Sequence, residues 1–388
     1  MFTQNKNKLN IYLIYTYVFL STFILFYSCD TLFYLERGIS SSGYMLFVTI
    51  TFLVQIILEI PSGIIADKFS RKKILLLSNS LFIISTLIFI FSKSYYLFVL
   101  ATIIKGIDNA LVTGIANSML YDLTKNKNEF NKVLFKKNFF YNISYMIAMI
   151  LGGYIGEKYG LVVNYYLSLI PFIINFFIII LIDDIKNSQN TSKYFKKDIL
   201  INAFHEIKNN KIIINSIFTN SIVFSIIKLV EESHPEYSSN IGISVFGIGL
   251  YTSLILVMCI IGSYLGSKIN KKYYKFIIYA NSIFVGLCIF LIGLLNSKIG
   301  ILFLLLIYIF SESYENIMLS TVHNSISSKS RITIESIFSM SLSFFGLILG
   351  SLMSIFLNFI EVHQLYIFLG AIIITYGIIN FVVNYKKD

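Results

Sequence analysis

The sequence has too little charge for a soluble protein. Asp, Glu, Lys and Arg make up 13% of its 388 residues, whereas a soluble domain carries roughly 25%. Hydrophobic residues make up 56%, and the mean hydropathy is +0.76. A chain of this composition lacks the polar surface that a fold in water requires, so it predicts an integral membrane protein.

Residues that build disulfide frameworks and metal sites are also scarce. The cysteines are Cys29, Cys259 and Cys288. All three fall inside apolar runs without close spacing, which favours neither disulfides nor a metal site. The four histidines are scattered, and His234, between Glu232 and Glu236, falls on a predicted outer loop. We interpret these side chains as solvated rather than as metal ligands, and we expect no metal and no cofactor.

Two further absences bear on the class of protein. The chain has no glycine-rich phosphate-binding loop and no cluster of catalytic residue types, so we expect neither ATP-driven transport nor an enzyme. The net charge of +11 does not predict a nucleic-acid partner, because the cations lie in short segments between apolar runs.

The apolar runs themselves predict twelve transmembrane helices, since about 20 such residues span a bilayer. The predicted spans, numbered helix 1 to helix 12 in chain order, are 9–35, 43–66, 74–92, 95–123, 138–158, 163–182, 213–230, 244–267, 276–295, 299–324, 334–358 and 363–385. With the N-terminus in the cytoplasm, 25 of the 31 Lys and Arg residues lie inside and four outside. This bias predicts that both termini are cytoplasmic.

The two halves of the chain repeat. Asn117-Ser-Met-Leu120 recurs as Asn316-Ile-Met-Leu319, and Ile150-Leu-Gly-Gly153 recurs as Ile348-Leu-Gly-Ser351, at nearly the same offset. Parallel repeats of this size are typical of secondary transporters with a substrate path between the halves. We therefore expect a six-helix bundle at 1–182, a cytoplasmic linker at 183–212 with an amphipathic surface helix near 198–212, and a second bundle at 213–388.

One stretch carries a family signature. Residues 59–73 read EIPSGIIADKFSRKK, an apolar run that closes in a basic cluster. The stretch resembles the loop motif of the major facilitator superfamily, G-x-x-x-D-(R/K)-x-G-(R/K)-(R/K), with Ser70 in place of the second glycine. The matching residues are Gly63, Asp67, Lys68, Arg71 and Lys72. Residues 59–63 also resemble a subgroup of bacterial exporters. The resemblance implies an all-α fold of two pseudo-symmetric six-helix bundles.

The resemblance also implies a gate at the cytoplasmic ends of the helices. Asp67 would face the N-terminus of helix 11, whose dipole favours an anion, and Arg71 would bridge to Asp122 at the end of helix 4. Arg331 and Glu335 resemble the matching stretch of the second half. The alternative is that these are ordinary interfacial charges, which stabilise little.

Charged residues inside the predicted spans are candidates for a proton or substrate site, because charges in lipid are costly. The six candidates for such a site are Asp30, Glu59, Lys105, Asp108, Glu312 and Glu315, and the other charges lie at the ends of their spans. Lys105 and Asp108 share one helix face and can form a local ion pair. Alternatively, Lys105 forms an ion pair with an acid on helix 1 or with an acidic group of the substrate. Glu312 and Glu315 also share a face, so at least one should be protonated near neutral pH; otherwise each bonds a polar side chain across a helix interface.

Together these features predict a secondary transporter in the cell membrane that works by alternating access. We expect proton-coupled efflux of a small molecule, so the expected partners are that substrate, protons and the lipid bilayer. A nutrient or metabolite importer of the same fold is the alternative within transport. A membrane sensor or enzyme on a transporter-like fold is the alternative from another class.

Overall fold

The computed structural model describes residues 2–124, 126–184, 207–208, 210–325 and 331–384. Within these ranges the chain forms α-helices and one 3-10 turn, Lys271–Tyr273, and no strand. Eleven helices of this part are long and apolar enough to cross a membrane. The predicted all-helical, multi-pass membrane fold is therefore confirmed.

The helices of the described part follow in chain order. They are α1 Phe2–Thr22, α2 Asp30–Glu36, α3 Ser41–Lys68, α4 Arg71–Phe91, α5 Tyr95–Val112, α6 Ile115–Leu123, α7 Lys127–Tyr159, α8 Leu161–Leu181, α9 Lys211–Asn240, α10 Val245–Lys268, α11 Tyr274–Leu295, α12 Gly300–Ser325, α13 Arg331–Phe356 and α14 Val362–Asn384. Most lie within three residues of a predicted span. The predicted surface helix near 198–212 falls mostly outside the described residues.

The chain divides into two compact units. Unit 1 comprises Met1–Arg37, Ile50–Lys193 and Val245–Ser253, and unit 2 comprises Gly38–Thr49, Tyr194–Ser244 and Leu254–Asp388. The first turns of α3 thus belong to unit 2, and the first turns of α10 belong to unit 1.

The predicted span 9–35 is wrong as a single helix. α1 ends at Thr22, residues 23–29 are not helical, and α2 begins at Asp30. The backbone N–H of Leu25 donates to Ser168 Oγ at 3.0 Å, which replaces a bond that the broken helix cannot make. The segment also packs closely on α7, because a Cβ atom at Gly152 would lie 1.8 Å from the Leu25 carbonyl oxygen and only glycine leaves room for it. Neither α1 nor α2 is among the eleven candidate spans, and the twelve-helix count stays a prediction.

Helix 4 is also interrupted. The predicted span 95–123 forms α5 and α6, separated at Thr113–Gly114, although the two together count as one span. Gly114 has φ of +75°. Residues with a side chain adopt this left-handed conformation only with strain, so glycine permits the turn.

Two helices are longer than the apolar runs indicate. α7 begins at Lys127 rather than near 138, because Asn126 Oδ1 accepts a hydrogen bond from the Glu129 N–H at 2.9 Å and caps the helix. α9 runs to Asn240 with Pro235 inside it. His234 therefore lies on a helix, with 3% of its surface exposed. The prediction of a solvated loop there was wrong, because proline is tolerated inside membrane helices whose neighbours satisfy the freed backbone.

Candidate functional site

The candidate site in unit 1 is built around an ion pair between two helices that are distant in sequence. Lys105 Nζ on α5 lies 3.3 Å from Asp30 Oδ2, at the start of α2. Asp30 is 9% exposed. The Tyr165 hydroxyl on α8 donates a hydrogen bond to the other carboxylate oxygen, Oδ1. Both oxygens of a buried carboxylate are therefore satisfied, as a charge in low dielectric requires.

Aromatic rings surround the ammonium group of Lys105. Its Nζ atom lies 5.3 Å from the ring centroid of Phe26, 5.2 Å from that of Tyr27 and 6.0 Å from that of Phe89. Phe26 in turn stacks on Tyr165, with the ring centroids 4.1 Å apart. Such faces attract a cation, and more strongly where water is excluded. The break in helix 1 places Phe26 and Tyr27 here, because both belong to residues 23–29.

A second carboxylate lies near Lys105 on the same helix. Asp108 is 7% exposed, and the Ser78 hydroxyl on α4 donates to its Oδ1. Lys105 and Asp108 also interact electrostatically. Of the two interpretations of the sequence, the geometry favours the one in which Lys105 forms an ion pair with an acid of helix 1, here Asp30. Asp108 is a neighbouring acid that accepts a hydrogen bond from Ser78. The arrangement places one cation between two buried acids.

The pairing expected for the motif arginine is present. Arg71, the first residue of α4, forms an ion pair with Asp122 on α6, and Arg71 is only 8% exposed. Lys72 donates to the backbone carbonyl of Ile180 at 2.6 Å, at the end of α8. These contacts join three helices at the end of unit 1 that the charge pattern predicts to be cytoplasmic. Their role as a gate stays a prediction.

Five predicted gate residues are placed only by their backbone. They are Gly63, Asp67, Lys68, Arg331 and Glu335. The first three lie in the last two turns of α3 and the others in the first two turns of α13. Their side chains fall outside what the structure describes, so the expected contact of Asp67 with the N-terminus of predicted helix 11, which is α13 in the structure, stays a prediction.

In unit 2 the acids of α12 lie against α10. The Glu312 carboxyl group hydrogen-bonds the Cys259 thiol and interacts electrostatically with Glu315. The two helices approach closely, because Ser313 Oγ donates to the backbone carbonyl of Gly262 at 2.7 Å. Glu59, by contrast, is half-buried on α3 and joins no ion pair among the described residues. Glu59 is therefore part of neither the Asp30–Lys105–Asp108 cluster nor the Glu312–Glu315 pair.

Comparison with known proteins decides the family. A profile of the Major Facilitator Superfamily matches residues 11–351. The chain belongs to the Major Facilitator Superfamily.

Curated relatives of this superfamily member have little assigned function. The chain is 28% identical over 165 residues to an uncharacterized transporter of Buchnera aphidicola subsp. Schizaphis graminum, a match over 42% of this chain and 39% of the relative. It is 22% identical over 217 residues to an uncharacterized MFS-type transporter of Methanocaldococcus jannaschii, over 53% of each chain. The chain thus matches about half or less of the length of these relatives.

The fold of this chain is similar to that of solved transporter structures. A nucleoside transporter, NupG, aligns with a TM-score of 0.75 over 97% of each chain at 14% identity. A POT family transporter in complex with a thioalcohol-conjugated peptide aligns with a TM-score of 0.78 over 97% of this chain and 96% of that one, also at 14% identity. At such identity the likeness is evidence of the fold alone.

Sequence reasoning missed the polar residues that hold this superfamily member's candidate site together. Tyr165 and Ser78 contact the two acids, and Asn164 donates to the Gly152 carbonyl at 2.8 Å beside the broken helix. A weak signal existed, because Asn164 and Ser168 are four residues apart in an otherwise apolar run. A polar stripe of this spacing on one face indicates a buried partner.

Proposed function

We propose that this protein is a secondary transporter of the cell membrane that exports a small molecule in exchange for protons, and that Asp30, Lys105 and Asp108 form its proton site. The observation that carries the proposal is the position of Lys105, 3.3 Å from Asp30 and one helical turn from Asp108. The superfamily membership and the transporters of similar fold support the broader class.

The charge of this cluster explains why it would bind a proton. Two carboxylates and one ammonium group leave one net negative charge when all are ionised. A net charge in a buried site is costly, and one proton removes it. A proton on Asp30 would weaken its attraction for Lys105, and the ammonium group would then move toward Asp108. Lys105 and Asp108 are one turn apart on the same helix, so we expect this shift to need only a change of the Lys105 rotamer.

The same cluster suggests the kind of substrate. A lipophilic cation would compete with Lys105 for the Asp30 carboxylate and for the faces of Phe26 and Tyr27. Competition between substrate and proton for one carboxylate is the simplest basis of exchange, because the two cannot occupy it together. Glu312 and Glu315 would supply further acids in unit 2. The direction of export rests on the resemblance of residues 59–63 to exporters.

The experiment is an accumulation assay in pump-deficient cells. A panel of fluorescent lipophilic cations, including ethidium, is measured with and without this chain, and each measurement is repeated with a protonophore. We expect lower accumulation in cells that carry the protein, and we expect the protonophore to abolish the difference. Higher accumulation would indicate the importer instead. No difference for any member of the panel would contradict export of lipophilic cations.

A further inference from the structure

Unit 2 contains a buried polar seam that the proposed proton site does not include. Thr219 on α9 is at its centre. Its Oγ1 atom lies 2.9 Å from the Tyr376 hydroxyl and accepts a hydrogen bond from Asn380 Nδ2 at 3.1 Å, both on α14. Thr219 is fully buried and Asn380 nearly so. These three side chains form a continuous hydrogen-bonded group between two helices.

Several buried polar atoms near this group have no protein partner within the described part of the chain. They are Ser216 Oγ on α9, one helical turn from Thr219, Ser282 Oγ on α11 and the Tyr314 hydroxyl on α12. Two observations connect the other helices to α14. Ser282 Oγ lies 2.7 Å from the position of a Cβ at Gly377, which follows Tyr376 directly. Tyr314 interacts electrostatically with Tyr376.

The unpartnered atoms indicate which ligand fits. Each is a hydroxyl oxygen, which can both donate and accept a hydrogen bond. Water does the same, and ordered water is the usual partner of buried polar groups that lack one in the protein. No ionised side chain contributes to the unpartnered set, which also argues against an ion.

We propose that the seam binds ordered water and conducts protons between Glu315 and the end of α14. The proposed proton conduction, unlike the binding of water, rests on the proton coupling proposed above. Tyr314 is adjacent to Glu315 in sequence and interacts with it electrostatically. Asn380 is one turn from the end of α14 at Asn384, which the charge pattern predicts to be cytoplasmic. Hydroxyl groups and water molecules both donate and accept, so a file of them passes a proton without any charged intermediate side chain. The Asn380 amide only orients Thr219, and water would carry the proton past it to the end of α14.

The water itself is tested by hydroxyl-radical labelling of the purified full chain under a short X-ray pulse, because radicals form from water at the site. Tyr314 is compared with Tyr366, which is equally buried but whose hydroxyl lies 2.8 Å from Ser233 Oγ. We expect at least about threefold more label on Tyr314 than on Tyr366. Equal labelling of the two tyrosines would overturn the hydration of the seam, whatever the coupling ion is.

The conduction is tested in proteoliposomes with a trapped pH dye and ethidium as the probe. Thr219→Val keeps the shape of the side chain but removes its hydroxyl. We expect it to slow ethidium-driven proton movement about tenfold with ethidium binding unchanged. Ser221→Ala is the matched control, because this buried hydroxyl on the same helix donates to the Ile217 carbonyl at 2.6 Å. Normal proton movement in Thr219→Val would overturn the conduction. If the unmodified protein moves no protons, the proposed function fails as well, while the labelling result still stands.

Discussion

Lys105 Nζ lies 3.3 Å from Asp30 Oδ2, although 75 residues separate the two in sequence. The pair joins α5 to the short helix α2 that follows the break in helix 1. The side chains of Lys105 and Asp30 are 18% and 12% exposed, and aromatic rings and the Tyr165 hydroxyl surround them. A buried ion pair is weak evidence for stability, because desolvation offsets most of the attraction. Its presence in a membrane protein therefore favours a functional role.

The first prediction concerns the acid of this pair. Asp30→Asn keeps the size of the side chain and its capacity to accept from Tyr165, but it cannot take up a proton in exchange for Lys105. We expect protonophore-sensitive ethidium efflux to fall at least about tenfold at an unchanged amount of protein in the membrane. Glu36→Gln, an exposed acid on the same helix, is the matched control and should keep full efflux. Normal efflux in Asp30→Asn would rule out the proton site.

The second prediction concerns the ion pair between Arg71 and Asp122. Removing one partner leaves the other charge buried, which costs about 3–5 kcal/mol. Arg71→Ala and Asp122→Ala should therefore each lower thermal stability, measured by size-exclusion chromatography after heating, and each should slow transport. The double variant should be less impaired than the sum of the two, because it leaves no unpaired charge. Lys73→Ala, exposed and two residues away, is the control. Strictly additive effects would show that the pair is not coupled.

The third prediction separates the acids of unit 2 from simple packing. Glu312→Gln with Glu315→Gln preserves shape and hydrogen-bonding capacity. If these residues carry protons, the double variant should still bind ethidium but should lose its dependence on the pH gradient. Glu361→Gln, at an exposed position before α14, should behave like the unmodified protein. Full coupling in the double variant would mean that the two acids are structural.

The fourth prediction tests the break in helix 1. At Gly152, a Cβ would lie 1.8 Å from the Leu25 carbonyl oxygen, so even Gly152→Ala must displace backbone. Overpacking of this kind typically costs about 1–3 kcal/mol. We expect a lower midpoint of heat-induced aggregation, whereas Leu151→Ala at the neighbouring, exposed position should change it little. An unchanged midpoint in Gly152→Ala would show that the segment 23–29 moves easily to make room.

The sequence was sufficient to predict most helices, because an apolar run of membrane length needs no knowledge of its neighbours. The pairing of Arg71 with Asp122 also followed from sequence, through the resemblance of residues 59–73 and the acid at the end of helix 4. The break at 23–29 did not, since Phe23–Cys29 is as apolar as a helix and the groups that hold it, Gly152 and Ser168, are distant in sequence. Only the fold brings them together.

The error at His234 has a different cause. Glu231, Glu232, His234 and Pro235 together form a pattern that is typical of a polar loop. In the structure the backbone continues as helix, and Glu232 accepts a hydrogen bond from the Tyr44 hydroxyl at 2.7 Å while Glu236 accepts one from Ser41 at 2.5 Å. These partners lie nearly 200 residues earlier in the chain, so composition alone could not indicate that the acids are paired inside a membrane helix.

The most direct test of proton-coupled export is to record proton movement in proteoliposomes while ethidium is added to one side. The purified protein is reconstituted with a trapped pH dye, without an imposed pH gradient or membrane potential. We predict that an ethidium gradient drives protons in the opposite direction, and that Asp30→Asn and Lys105→Gln abolish this movement. Ethidium that crosses the membrane through the protein while the internal pH stays constant would contradict proton coupling.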